Sequence, residues 1–445
     1  MFRSYRWLLA NALANGFLAP GTWTHSGLLS RASTVLGEKP RFLSRLVTKV
    51  LTRFPEPPVR LLDLERFIWQ DDGFYRGTRP PHAARLKRFL VPEPTMRSSA
   101  FAVPAIATVG DLARWLDVPI TTLEWLADSR GLERIARDER LRHYRYTWVK
   151  KRSGGGARLL EAPKARTKAV QRKILDEILA QIPAHDAAHG FRRHRSIASH
   201  AALHERRAVV LKLDLGDFFL SIRAPRVAAV FRAAGYPEEV AWVLTCLTTN
   251  IAPADGALEL KKELGEHATR SDLADVHRAS MLARTRHLPQ GAPTSPALAN
   301  LCAYHLDVRL CALAFSYDAT YSRYADDLTF SGSDGIEDLA AIAAGIAVDE
   351  GFGVNHRKTR IMKRAGRQLV TGLVVNHRAR TSRAEYDQLK ATLTNCQRHG
   401  AAAQNRDGHA DFRAHLAGRI AHVARFDDAR GRRLRAMFES IAWTA

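Results

Sequence analysis

Two adjacent carboxylates, Asp326 and Asp327, sit inside Thr320-Tyr321-Ser322-Arg323-Tyr324-Ala325-Asp326-Asp327-Leu328-Thr329-Phe330, a run otherwise rich in strand-forming aromatic and β-branched residues. Like charges side by side repel. A fold tolerates such a pair cheaply on a solvated turn, or usefully where a divalent cation neutralises it. A further carboxylate lies in Val209-Val210-Leu211-Lys212-Leu213-Asp214-Leu215-Gly216-Asp217-Phe218-Phe219. Val209, Leu211 and Leu213 alternate with Val210, Lys212 and Asp214, which predicts a strand that buries the first set and lifts Asp214 onto the opposite face. Asp214, Asp326 and Asp327 on one sheet face would form an open cage of hard oxygen ligands. Mg²⁺ prefers that donor set, with water and substrate phosphates completing its octahedron.

The next element is Leu288-Pro289-Gln290-Gly291-Ala292-Pro293-Thr294-Ser295-Pro296, which opens an apolar helical stretch from Ala297 to Asp307. Gly and Pro punctuate a stiff turn able to bring backbone N–H groups and the Gln290 amide close to a ligand. Asp217 follows Asp214 by three, so continued strand alternation would turn it to the other face, and it reads as structural.

These elements together resemble the reverse transcriptases, and within them the bacterial retron type. The likeness runs from about Val109 to the C-terminus. It includes Arg158-Leu159-Leu160-Glu161-Ala162-Pro163-Lys164, His189-Gly190-Phe191, Arg195-Ser196-Ile197, the Asp214 strand, the Leu288 loop, the Asp326 hairpin and Gly351-Phe352-Gly353-Val354-Asn355. It closes on Val370-Thr371-Gly372, a retron hallmark associated with recognising the element's own structured RNA. Where the family has Asn-Ala-x-x-His before the first catalytic strand, this chain has His200-Ala201-Ala202-Leu203-His204.

The resemblance implies an α+β, right-hand polymerase of fingers, palm with antiparallel sheet, and helical thumb, here with an N-terminal helical extension. It implies attack of a primer hydroxyl on the α-phosphate of a deoxynucleotide triphosphate, with two Mg²⁺ ions held by Asp214, Asp326 and Asp327. Phe219 matches the steric-gate position, with an ordinary core aromatic as the other reading. Gln290 would contact the incoming nucleotide, and Arg158 and Lys164 the triphosphate. Val370, Thr371, Gly372 and His204 would contact RNA, although His200 and His204 also read as hydrogen-bonded structural histidines. Asn355 and Lys358 stand open between functional and structural roles. The implied partners are a cognate structured non-coding RNA, its single-stranded DNA product and an effector protein in antiphage defence.

Composition agrees with a polyanionic partner: 68 Lys and Arg against 45 Asp and Glu give a formal charge of +23. Cys246, Cys302, Cys311 and Cys396 are scattered without metal or disulfide spacing, which fits a reducing cytoplasm. No apolar run is long enough to span a bilayer, and Leu8 to Leu18 reads as an amphipathic first helix. The expected organisation is a helical extension with a Pro-rich connector over residues 1–100, helices and fingers over 105–208, palm over 209–376 and thumb over 377–445. Tyr144–Val149 and Ala157–Ala162 should form a hairpin around Ser153-Gly154-Gly155-Gly156. Two other classes remain open: a reverse transcriptase of a group II intron or diversity-generating element, and a non-catalytic RNA-binding scaffold.

Overall fold

The computed structural model describes residues 5–58, 60–79, 84–90, 95–150, 157–253 and 269–443. The chain divides into two units, Met1–Thr95 and Met96–Ala445. The Gly-rich segment 153–156 and residues 80–83 and 91–94 of the Pro-rich connector fall outside the described residues.

The first unit contains helices Tyr5–Leu18, His25–Leu36, Arg41–Arg53, Leu61–Gln70 and Asp72–Gly77. Leu43, Leu46, Val47 and Val50 recur at helical spacing and are buried, as that spacing requires. The first helix is not amphipathic. Residues 9, 10 and 12–17 are all buried, so it is wrapped by its neighbours rather than laid on them. Its asparagines are satisfied locally: Asn11 donates to Glu65 and Asn15 to the Asn11 carbonyl.

In the second unit, helices Val109–Leu116 and Ile120–Ala127 precede the hairpin of β1 (Tyr144–Lys150) and β2 (Ala157–Pro163). Helix Ala165–Glu177 follows. The central antiparallel sheet has β3 (Val209–Gly216) in its middle, paired on one edge with β5 (Asp327–Gly332), itself paired with β4 (Thr320–Tyr324). The other edge of β3 pairs with β6 (Gly353–Val354) and β7 (Arg360–Lys363). Helices Ser295–Cys302, Tyr304–Ser316 and Leu339–Asp349 contribute Leu298, Leu306, Leu310 and Leu339 to the core that also holds Val209, Leu211 and Leu213.

Both faces of β3 are covered at its start. Val210, expected on the open face with Asp214, is buried against Ala201, Val370, Leu373 and Val375. The cover comes from a short hairpin, β8 (Leu369–Val370) and β9 (Leu373–Val374), whose turn residues Thr371 and Gly372 both have positive φ, 45° and 84°. That is the conformation a tight two-residue hairpin favours. Past it lie helices Arg383–His399, Phe412–Phe426 and Asp428–Glu439. The last two are separate helices. Asp427 divides them, its carboxylate accepting from the Arg430 backbone N–H to cap a new helix.

Candidate active site

Strand register brings the three carboxylates together. Asp214 faces Asp327 directly across the β3–β5 ladder, and Tyr324 faces Asp327 across β4–β5, leaving Ala325 and Asp326 as the turn. Directly opposed residues in an antiparallel pair have Cα atoms about 4.5–5.5 Å apart. Ala325 has φ 56°, and the turn is fixed to β3 by the Leu215 N–H donating to the Asp326 carbonyl at 2.9 Å. Gly190 lies under the turn, where a Cβ would stand 2.7 Å from the Ala325 nitrogen, so this approach admits only glycine.

Charge crowding has visible consequences. Burial, then Asp327 and Asp214, pushes the Asp326 carboxyl up to about 6. Burial also raises Asp327, against the lowering effect of Lys212, whose ammonium is 2.8 Å from it. Lys358 sits 3.0 Å from both oxygens of Asp214. Among the described residues, no three His, Cys, Asp or Glu side chains are grouped closely enough to hold a metal ion as they stand. The donor chemistry nevertheless fits a divalent cation. Three half-buried or buried carboxylates already require positive charge, and two lysine ammonium groups supply it.

Asp214 and Asp326 line a cavity of about 240 Å³ with Arg158, Phe219, Gln290 and Lys358. Phe219 is half-buried, with its ring 6.2 Å from that of Phe191. Gln290 is positioned through its backbone: its carbonyl accepts from the Glu161 N–H at 2.8 Å, which ties the loop to β2. Gly291, at φ 129°, permits that contact, since a Cβ there would lie 3.0 Å from the Glu161 carbonyl oxygen. Asn355 also lines the cavity, and its N–H donates to the Asp214 carbonyl.

Other expected site residues lie elsewhere. Lys164 lines a separate cavity beside β1, and its ammonium donates to the Glu139 carbonyl. His204 is fully buried beneath β4 and β5, 2.7 Å from both the Ser331 and Ser322 hydroxyls, which leaves neither ring nitrogen for RNA. His200 bonds Ser322 and Thr329 in the same layer. Val370 is core, so the Val-Thr-Gly hairpin presents Thr371 and Gly372 rather than the valine side chain.

Asp217 corrects the strand argument. It has φ 48° and ends the alternation, lines the cavity with Asp214, and pairs with Arg278 at 2.7 Å. Arg278, from helix Arg270–Ala283, and Phe191 are cavity residues to which the sequence reading gave no role. The signal for Phe191 was its place in His189-Gly190-Phe191; for Arg278 no motif gave one.

The family profile described as "Reverse transcriptase (RNA-dependent DNA polymerase)" matches residues 149–386. The chain is 40% identical to the retron Mx65 reverse transcriptase of Myxococcus xanthus over 75% of its own length and 72% of that protein's. It is 33% identical to the retron Mx162 reverse transcriptase of the same organism, over 80% and 72%. With the retron Ec86 reverse transcriptase of Escherichia coli the identity is 29%, over 67% and 81%. Alignment to a foamy viral protease-reverse transcriptase solved with double-stranded DNA gives a TM-score of 0.35 at 15% identity. It covers 68% of this chain and 41% of the viral one, and adds nothing to the fold read from the strands.

Proposed function

Because the chain belongs to the retron-type reverse transcriptases, RNA-directed DNA polymerases, we propose that it copies part of a cognate structured non-coding RNA into single-stranded DNA. The supporting observation is the β3–β5 register that sets Asp214 opposite Asp327 with Asp326 in the adjoining turn.

In this reading Asp214, Asp326 and Asp327 would hold two Mg²⁺ ions, whose chemistry would be to lower the pKa of the attacking primer hydroxyl and neutralise charge at the attacking and leaving oxygens. Arg158, which lines the same cavity, would bind the triphosphate as a bidentate donor. Gln290 positions the incoming nucleotide from a loop anchored to β2, and Phe219 occupies the space a ribose 2′-hydroxyl would need. Lys358 exchanges Asp214 for substrate phosphate as the site fills.

By resemblance, a guanosine 2′-hydroxyl of the RNA would serve as primer and leave branched RNA-linked DNA. The product complex would act in the cytoplasm with an effector protein in antiphage defence. The net charge of +23 supports the polyanionic partner. The test is Asp326→Asn: DNA synthesis on a primed RNA template should disappear while RNA binding survives. Retained synthesis would overturn the assignment.

A further inference from the structure

We propose that Arg323 is a positioning residue for the carboxylate hairpin: it holds the Ala325-Asp326 turn in its left-handed conformation and ties that turn to the helix following the Gln290 loop. The proposal rests on the reading of Asp326 as a catalytic residue.

Arg323 is fully buried. Its Nε and Nη2 donate to the two Asp307 oxygens at 2.8 and 2.6 Å, a bidentate pair that also receives the Tyr321 hydroxyl at 2.8 Å. Such a pair is weak evidence of a stabilising role, since two apolar side chains of similar size often serve as well. What an apolar pair could not supply is the remaining nitrogen. Arg323 Nη1 donates to the Ala325 carbonyl at 3.1 Å and to Asn300 Oδ1 at 3.0 Å. Asn300, in helix Ser295–Cys302, then donates from Nδ2 to the Gly190 carbonyl at 2.9 Å. Gly190 is the residue pressed against the Ala325 nitrogen.

One nitrogen therefore joins the helix after the Gln290 loop, the His189-Gly190 segment and the turn that carries Asp326. The backbone of Arg323 continues the connection, accepting from the His189 N–H at 2.7 Å and donating to the Ala187 carbonyl at 2.8 Å. The turn needs such a hold. Ala325 at φ 56° is in a region that L-residues other than glycine, asparagine and aspartate rarely occupy. Relaxation of Ala325 to negative φ would redirect the Asp326 carboxylate and break the Leu215 N–H bond to its carbonyl.

The test uses Arg323→Lys, which keeps a positive charge against Asp307 but cannot reproduce the planar fork. Steady-state extension on a primed RNA template, RNA affinity and thermal melting are measured, with Asp326→Asn as the inactive reference. The expected result is a fall of about tenfold in kcat, equivalent to about 1.4 kcal/mol, with RNA affinity unchanged. Adding Ala325→Gly should restore most of kcat without restoring the melting temperature, because glycine adopts positive φ freely. A role in stability alone would not produce that selective rescue. Wild-type kcat in Arg323→Lys, or no rescue by Ala325→Gly, would overturn the proposal. Should Arg323→Lys fail to fold, Asn300→Ala leaves the ion pair intact and carries the same prediction of a lower, Ala325→Gly-rescued kcat. Synthesis retained by Asp326→Asn would instead overturn the underlying reading of the site.

Discussion

Lys358 Nζ stands 3.0 Å from each carboxylate oxygen of Asp214, so its ammonium is a direct counter-ion of the strand carboxylate. A divalent cation at Asp214 would compete with that lysine for the same oxygens. Lys358→Met should therefore lower the melting temperature of the metal-free protein, by the equivalent of about 1–3 kcal/mol for a carboxylate left unpaired. It should also enlarge the stabilisation that Mg²⁺ produces. Melting curves with and without Mg²⁺ check this, and an unchanged Mg²⁺ shift would show that the two cations do not compete.

Phe219 shares the cavity with Asp214, Arg158 and Gln290. Replacing it with Val should raise ribonucleotide use relative to deoxynucleotide use by about tenfold or more, within the range that one hydroxyl's fit can command. The measurement is the ratio of kcat/KM for matched ribo- and deoxynucleotides. An unchanged ratio would return Phe219 to the hydrophobic core.

His204 and His200 predict an acid-sensitive fold. Burial, then nearby charge, holds His204 well below its usual range and pushes His200 down to about 3. In the unfolded chain both titrate near 6.5. Below that pH the unfolded state binds more protons, so this stability is present above 6.5 and is lost as pH falls toward the folded values. Each histidine contributes a slope of up to about 1.4 kcal/mol per pH unit. His204→Gln should make the stability–pH curve shallower by that amount over the acid range while leaving RNA affinity at neutral pH unchanged. Denaturant unfolding at several pH values and a binding assay decide it.

Arg433 and Arg435 are exposed on helix Asp428–Glu439. If this helix tracks nucleic-acid phosphates, each Arg→Gln change on the side that meets them should reduce the slope of log affinity against log salt by about 0.7–0.9. An unaltered slope would place the phosphate track on another surface.

The three candidate carboxylates were legible because the alternation that places Asp214 in β3 and the hairpin that sets Asp326 in its turn and Asp327 at the start of β5 are both local patterns. Phe219, Gln290 and Arg158 lie in the same cavity. What the sequence did not reveal depends on partners far along the chain. His204 is buried because Ser322 and Ser331 supply its hydrogen bonds from more than a hundred residues away. Lys164 is drawn off by a carbonyl at Glu139, and Asp217 escapes the strand period through a single left-handed residue. The first helix carries too little polarity to show a solvent face, and its burial on all sides follows from the helices around it.

The central claim is best tested by expressing the protein with about a kilobase of its flanking DNA, purifying it, and analysing the bound nucleic acid after RNase and DNase treatment. The account predicts a discrete RNase-resistant DNA species, joined to RNA and absent from the Asp326→Asn protein. Bound RNA without DNA, or a DNA species that persists in Asp326→Asn, would contradict it.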